Sequence, residues 1–187
     1  MNAVPVRQSL MSLAVAAAAL AMPVSLHARE GVEVGKQSGF TRLVSAEQVE
    51  QAATQQYAQM QGQAAQQNAL LPDNHPQVVR LRSIARRMIP FALEWNKRAP
   101  QWQWEVSVIN SKELNAFCMP GGKIVFYTGI LEQLKLTDDE VAMIMGHEMA
   151  HALREHARER MGKTAATRIG ANVLSGLLGL GLSLIHI

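Results

Sequence analysis

Cysteine, aromatic residues and net charge are all scarce in this chain of 187 residues. A single cysteine excludes an internal disulfide framework and a cysteine-rich zinc knuckle. A formal net charge of +3 gives no electrostatic argument for nucleic acid as a partner. Charged residues make up 18% of the chain, which argues against a charged disordered tail. The composition therefore predicts one ordinary globular domain with short appendages, in which any metal site uses histidine and carboxylate ligands.

The N-terminus has the pattern of an export signal. Arg7 is the only charged side chain in residues 1–28, and residues 10–22 form an apolar run. Pro23 follows this run, and Ala28 offers a small residue for cleavage. The three-part pattern is typical of a secretory signal, and the apolar run is too short to span a bilayer comfortably. We expect residues 1–28 to be removed on export to the periplasm, with an uncleaved N-terminal anchor as the alternative.

Glutamine is concentrated in residues 48–67, which contain nine of them. Ser45 and Gln48 form a capping-box pattern at the start of this region. Apolar residues then recur at helical spacing, namely Val49, Ala53, Tyr57, Met60 and Ala64. The pattern predicts a helix from about 46 to 67, which packs on the main domain as part of an N-terminal arm of residues 29–71.

Residues 72–187 are expected to form the main domain. A second helix is predicted to begin near Pro76, with its arginines on a solvated face. Alternating apolar and polar residues over 102–109 predict a half-buried strand. Two β-prone runs, 115–119 and 123–128, flank a Pro-Gly-Gly turn and predict a hairpin. The expected fold is α+β and mostly helical, with the helix that follows packed on a small antiparallel sheet in the manner of zincins.

That next helix contains the residues that can perform chemistry. It opens with an acidic capping box at Thr137 and is predicted to end at Gly162. Residues four apart lie on one helix face, so His147 and His151 can direct two imidazole nitrogens at one ion. Glu148 lies near enough to accept a proton from a zinc-bound water during its attack on a carbonyl. The alternative is two histidines on the solvent face of a charged helix.

Three segments together resemble a known family. They are residues 115–122 (Asn-Ala-Phe-Cys-Met-Pro-Gly-Gly), residues 123–131, and residues 147–151 (His-Glu-Met-Ala-His). They look like the gluzincin peptidases related to the CaaX prenyl protease and HtpX, and most like the soluble periplasmic branch of bacteria. The resemblance covers about residues 45–165 and implies a zinc metallopeptidase that acts in envelope protein quality control.

The resemblance also implies roles for particular residues. His147 and His151 would bind zinc, and Glu148 would be the general base. The strand near 115–119 would line the cleft. The residues expected to contact substrate are Asn115, Ala116 and Phe117. An edge strand can hold an extended peptide by strand addition, which tolerates varied sequences and suits misfolded clients.

The third zinc ligand is a departure from the family pattern. The family takes it from a glutamate on a later helix, tens of residues past the second histidine. The acids after His151 are Glu155 and Glu159, which are expected on the same helix as the two histidines. Glu155 is eight residues from His147, or about 12 Å along a straight helix, whereas ligands lie about 2 Å from zinc. His156 and His186 could substitute only with unusual geometry.

We therefore expect the third ligand to lie outside this chain. The apolar block 169–187 is interpreted as part of a peptidase domain truncated at its C-terminus, with a membrane span as the alternative. For the chain by itself, weak zinc binding and little peptidase activity are expected.

Two functional hypotheses follow from the sequence. The first is a zinc metalloendopeptidase of the bacterial envelope that degrades misfolded exported proteins, with unfolded polypeptides as partners. The second is a non-catalytic periplasmic chaperone or scaffold for outer-membrane protein assembly, which would use the glutamine-rich arm and the hairpin edge. Both place the protein in the periplasm, free or peripheral to a membrane, and neither involves nucleic acid.

Overall fold

The computed structural model describes the backbone of residues 37–183 and the side chains of residues 37–172. The predicted export signal and His186 lie outside the described residues. The helices, in chain order, are α1 (Ala46–Gln66), α2 (Pro76–Ala92), α3 (Thr128–Gln133), α4 (Asp138–Leu153) and α5 (His156–Ser183). The strands are β1 (Glu105–Ile109), β2 (Ala116–Met119) and β3 (Lys123–Tyr127). Short 3₁₀ turns occupy Gly39–Leu43, Leu93–Trp95 and Ala99–Gln101.

The three strands form one mixed sheet in the order β1-β3-β2. β3 runs parallel to β1 and antiparallel to β2. The predicted α+β class is confirmed. The expectation of an antiparallel sheet is wrong for one of the two strand pairs, because β1 and β3 are parallel. The reason lies in β3, where Ile124, Val125 and Phe126 have no exposed surface. A strand that is apolar on both faces is best covered at the centre of a sheet, so the hairpin presents β3 rather than β2 to β1.

β1 is shorter and more deeply buried than the sequence pattern predicts. Trp102 does not belong to the strand because it ends the 3₁₀ turn Ala99–Gln101. The residues from Val106 to Ile109 are all buried, so the strand is covered on both faces rather than half-buried. Ser107 is buried because its hydroxyl contacts the Tyr57 hydroxyl at 2.6 Å. A polar residue in an alternating pattern therefore faces a helix here, not water.

Two helical layers cover the two faces of the sheet. α1 lies against one face, where Tyr57 and Ala64 pack with Ile109 and Val125. α2 and α4 cover the other face and form the main core with it; the fully buried side chains there include Leu81, Ile84, Val108, Phe126, Val141 and Met145. The arrangement is helix, sheet, helix, and it places α4 beside β2.

α1 confirms the predicted arm helix. It begins after Ser45, whose hydroxyl accepts a hydrogen bond from the Gln48 backbone N–H. Four of the five predicted seam residues are buried, and Met60 is half-buried. The seam is narrow because glutamine occupies most of the remaining surface, so α1 contributes one layer and leaves its polar face in water.

α2 begins at Pro76 as predicted, and His75 caps it by accepting a hydrogen bond from a backbone N–H at its Nδ1 atom. The expected solvated arginine face holds only in part, because Arg80 is half-buried. Arg80 donates to the Asp138 carboxylate at 2.6 Å and to the Leu136 carbonyl at 2.7 Å. These bonds tie α2 to the start of α4, which carries the motif.

Candidate metal centre

α4 presents the motif to solvent because its apolar residues occupy the opposite face. The helix opens with the predicted capping box between Thr137 and Glu140. Its buried residues are Val141, Met145, Met149, Ala152 and Leu153. This stripe packs on the sheet and on α2, and it leaves His147 and His151 exposed. Gly146 faces α2, where an added Cβ would lie 3.2 Å from the end of the Met88 side chain.

The motif helix ends at Leu153, so the predicted end at Gly162 is wrong. Glu155 adopts a left-handed conformation with φ 57°, and α5 begins at His156. Helices often end this way, usually at glycine. Here the residue is glutamate, whose carboxylate accepts a hydrogen bond from Arg158 at 2.9 Å. Glu155 and Glu159 therefore do not share a helix with the two histidines.

The two motif histidines approach each other through the ring nitrogens suited to a metal. Their Nε2 atoms are 3.0 Å apart, and the rings are nearly perpendicular. The Glu148 carboxylate lies 4.0 Å from the Nε2 atom of His147. The His147 side chain is 67% exposed and that of Glu148 is 23% exposed. His147 is thus open to solvent, and Glu148 is half-buried beside it.

The two Nε2 atoms fit two of the four ligand positions around a zinc ion. Two nitrogens bound to tetrahedral zinc are about 3.3 Å apart when each lies about 2.0–2.1 Å from the metal. The observed separation of 3.0 Å is close to that value. Among the described residues, no group of three or more histidine, cysteine, aspartate or glutamate side chains is arranged to hold a metal ion. The structure thus brings together His147, His151 and Glu148, and no third ligand within the described part of the chain.

The two acids after the motif have other partners. Glu155 is buried and binds Arg158, and the Glu159 carboxylate lies 2.7 Å from the Lys163 ammonium. The hydrogen bond with Lys163 lowers the pKa of Glu159 despite an opposing effect of burial. The two acids are separated from the histidine pair by the helix break after Leu153, and both form ion pairs within α5 and its first turn.

His156 joins the cluster from the other side. Its Nδ1 atom lies 2.6 Å from Nδ1 of His151, whereas His147 approaches the Nε2 atom of that ring. Burial, together with the neighbouring His151, lowers the pKa of His156. The sequence suggested His156 only as a substitute ligand. The turn that returns His156 to His151 contains no glycine or proline, so no local pattern predicts this turn.

β2 lies beside the motif helix and forms the outer strand of the sheet. Ala116 and Cys118 point into the core shared with α4. Burial and the charge of Glu148 raise the pKa of the Cys118 thiol, which therefore remains protonated. Phe117 faces the α1 side, where its ring makes an edge contact with Tyr127 at a centroid distance of 6.2 Å. Of the predicted substrate residues, Phe117 thus turns its side chain away from α4.

The backbone of β2 offers hydrogen-bonding groups along its open edge. The Tyr127 N–H donates to the Asn115 carbonyl at 3.1 Å, so residue 115 is paired with β3. Backbone groups alternate in direction along an antiparallel strand. Those of Ala116 and Cys118 therefore point away from β3, and β2 has no other strand beside it in the described part of the chain.

A helix that presents a His-Glu-x-x-His cluster to solvent, beside the edge strand of a small sheet, defines a zincin-like metallopeptidase domain. Comparison with known proteins identifies the family. Residues 75–182, more than half of the chain, match Peptidase family M48, and the chain belongs to this family.

Individual relatives agree with this assignment. The chain is 50% identical over 60 residues to the mitochondrial metalloendopeptidase OMA1 of Arabidopsis thaliana, covering 32% of this chain and 12% of the relative. It is 30% identical over 117 residues to OMA1 of Schizosaccharomyces pombe, covering 63% and 33%. It is 36% identical over 75 residues to the metalloprotease LoiP of Escherichia coli, covering 38% and 29%.

The chain therefore spans a third or less of the length of these curated relatives. No helix within residues 37–183 combines the length and the hydropathy that a membrane crossing requires.

Proposed function

We propose that this protein is a zinc metalloendopeptidase of the bacterial cell envelope, from the soluble periplasmic branch of the peptidases related to HtpX and the CaaX prenyl protease. Its substrates would be misfolded exported polypeptides. The observation that carries the proposal is the pairing of the His147 and His151 Nε2 atoms at 3.0 Å, with Glu148 beside them on the exposed face of α4. Family membership and relatives named as metalloendopeptidases support the reaction class.

His147 and His151 would hold the zinc ion through their Nε2 atoms, together with an acidic residue outside the described ones. When bound, zinc supplies a Lewis acid that polarises the scissile carbonyl and lowers the pKa of water. The remaining steps belong to Glu148. Its carboxylate accepts a proton from the attacking water and then donates that proton to the leaving amine nitrogen as the peptide bond breaks.

Substrate selection would depend on the open edge of β2. The outward backbone groups of Ala116 and Cys118 can pair with an extended polypeptide, which would then lie beside α4. Backbone pairing is largely insensitive to side-chain identity, and a folded protein offers fewer unpaired extended segments than an unfolded one. Cleavage should therefore depend on whether a chain is unfolded and much less on its amino-acid sequence.

The direct test replaces Glu148 by Gln in the protein expressed from its complete gene. The amide keeps the size of the carboxylate but cannot accept the proton, so cleavage of an unfolded protein such as casein should fall by about 10²–10⁴-fold. Zinc content should remain that of the wild type, because Glu148 is not a ligand in this proposal. Glu132→Gln, an exposed acid-to-amide change on α3, is the matched control and should cleave normally. Undiminished cleavage by Glu148→Gln would rule out the proposed mechanism.

A cellular experiment separates the peptidase from a non-catalytic scaffold of outer-membrane assembly. The Glu148→Gln variant is expressed in cells that lack the gene and are stressed in envelope assembly. Failure to rescue supports the peptidase, whereas full rescue supports the scaffold and its assembly-machinery partner.

The periplasmic location depends on the export signal predicted from residues 1–28. Fractionation followed by N-terminal mass analysis should find a periplasmic chain that starts after Ala28. A cytoplasmic chain that retains Met1 would contradict the location.

A further inference from the structure

We infer that His156 is a positioning residue for His151: its Nδ1 atom accepts a hydrogen bond from the Nδ1–H of His151 and so directs the Nε2 lone pair of His151 at the metal position. This inference rests on the proposed function, because it assigns a role at the same site. His156 would touch neither metal nor substrate and would act through His151.

The geometry of the His151 ring leads to this assignment. Its Nδ1 atom lies 2.6 Å from Nδ1 of His156, and its Nε2 atom lies 3.0 Å from Nε2 of His147. A neutral imidazole has one N–H donor and one acceptor nitrogen. If Nε2 is to bind a metal, the proton of His151 must be on Nδ1, where it needs an acceptor. The nearest ring nitrogen at that edge belongs to His156.

The same geometry argues against His156 as a third ligand to the ion held by the pair. A third ligand would place its donor atom beside the two Nε2 atoms. His156 instead approaches the opposite edge of the His151 ring, and the two ring centroids are 4.8 Å apart with planes inclined by 59°. That arrangement suits an in-plane hydrogen bond at the far edge of a ligand ring.

The helix break after α4 holds His156 in this position. Glu155 turns the chain with its positive φ, and His156 is the first residue of α5. Arg158 fixes this turn from both sides, since it binds the Glu155 carboxylate at 2.9 Å and the Val44 carbonyl at 2.7 Å. His156 is also half-buried, whereas His147 and His151 are exposed. The most buried ring of the three is therefore the one that would orient a ligand.

The test measures the tautomer of His151 directly. Long-range ¹H–¹⁵N spectra of the ¹⁵N-labelled full chain, free of metal and at about pH 8, where neutral imidazoles dominate, report which ring nitrogen carries the proton. In the wild type we expect the proton on Nδ1 of His151. His156→Ala and His156→Leu should move it to Nε2 in a large fraction of molecules. His156→Asn should restore the wild-type pattern, because its amide oxygen lies near the position of Nδ1 and can accept the bond.

Zinc affinity gives a second readout. Competition with a chromophoric chelator, with zinc as the only added metal, should show a loss of about 10–100-fold for His156→Ala and His156→Leu. His156→Asn should stay close to wild type. The matched control is Thr164→Ala, an exposed site two turns further along α5 whose hydroxyl donates to the Arg160 carbonyl. It should change neither the tautomer nor the affinity.

The Leu and Asn variants keep the half-buried site filled, so they decide the question even if the Ala variant unfolds. Unchanged His151 tautomer and zinc affinity in His156→Leu would overturn the inference, as would a wild-type His151 protonated at Nε2. Failure of the proposed function would appear differently, as undiminished cleavage by Glu148→Gln while the tautomer still responds to His156.

Discussion

Among single residues, Glu50 shows how one half-buried carboxylate attaches the arm helix to the domain. It accepts hydrogen bonds from the Arg98 guanidinium at 2.7 and 2.8 Å and from the Trp102 indole at 2.9 Å. Its side chain is 19% exposed. Hydrogen bonds to charged groups contribute more to stability than neutral ones, and more again where water is excluded. Glu50 therefore stabilises the contact between α1 and the segment before β1.

This attachment should make stability depend on acid pH. Burial raises the pKa of Glu50. The hydrogen bonds from Arg98 and Trp102 outweigh this effect, so the pKa lies below its ordinary value of 4.5. A carboxyl whose pKa is lower in the folded state stabilises the fold above its unfolded pKa, and this contribution is lost as the pH falls through the folded pKa. We expect Glu50→Gln to reduce the free energy of unfolding at pH 7 by about 1.5–3 kcal/mol and to flatten its decline below pH 4.5.

Urea unfolding at a series of pH values measures both effects. Glu132→Gln, on the exposed surface of α3, should change the free energy of unfolding by about 0.5 kcal/mol or less. If Glu50→Gln kept wild-type stability and the wild-type acid dependence, the hydrogen bonds at Glu50 would be energetically unimportant.

The candidate site was predictable from the sequence only where spacing along one helix decides the outcome. His147, Glu148 and His151 lie together because residues four apart share a helix face, and α4 is helical throughout the motif. His156 was not predictable as their neighbour. Its position depends on the left-handed turn at Glu155, and glutamate gives no local signal for that conformation. Arg158 stabilises the turn by binding both the Glu155 carboxylate and the carbonyl of Val44, which is distant in sequence. The periodicity of apolar residues gives no information about such a contact.

Among the elements, α5 depends on a close crossing with the 3₁₀ turn Gly39–Leu43. Gly162 lies at this crossing, where an added Cβ would be 2.0 Å from the Phe40 carbonyl oxygen. Backbone therefore meets backbone, and only glycine fits without displacement. The glycine that resembles a helix stop in the sequence is in fact a packing position in the interior of a helix.

Gly162→Ala should therefore destabilise the protein, although alanine favours helix. Displacing the turn costs about 1–3 kcal/mol, which exceeds the gain of about 0.8–1 kcal/mol in helix propensity. Gly170→Ala is the matched control on the same helix, because no described atom outside the backbone of α5 lies within 4 Å of its added Cβ. It should be neutral or stabilising by up to about 1 kcal/mol. Thermal unfolding of both variants checks the prediction, and equal stabilisation by the two would show that α5 does not pack there.

The elements were predictable in proportion to their length and regularity. α1 follows from its cap and its apolar seam, and its bounds agree with the prediction within one residue. α3 was missed because its six residues are too few to show a helical period. The parallel pairing of β1 with β3 was also missed. Strand order depends on which strand can be buried on both faces, and that is a property of the assembled layers rather than of any one segment.

For the whole molecule, the layers determine what the motif can reach. α2 and α4 cover one face of the sheet, and α1 covers the other. β2 is therefore the strand whose open edge lies beside the motif helix. An extended polypeptide paired with β2 would continue the sheet past α4. The fold thus brings the proposed metal position on α4 close to the proposed peptide-binding edge of β2, although the two belong to different segments of the chain.

This arrangement predicts that kcat/KM for a model peptide depends on every second backbone amide of that peptide. In an antiparallel pair, alternate residues of the added strand direct their N–H groups at the partner. N-methylation of those amides in a model peptide should lower kcat/KM by about 2–10-fold for each lost bond, because a hydrogen bond contributes about 0.5–1.5 kcal/mol. Methylation of the intervening amides, whose N–H groups point to water, should change kcat/KM much less and serves as the internal control. Side-chain changes to alanine at the same positions should have smaller effects than methylation in the sensitive register. Equal sensitivity at consecutive amides, or none at any, would show that substrates are held by their side chains instead of by the edge of β2.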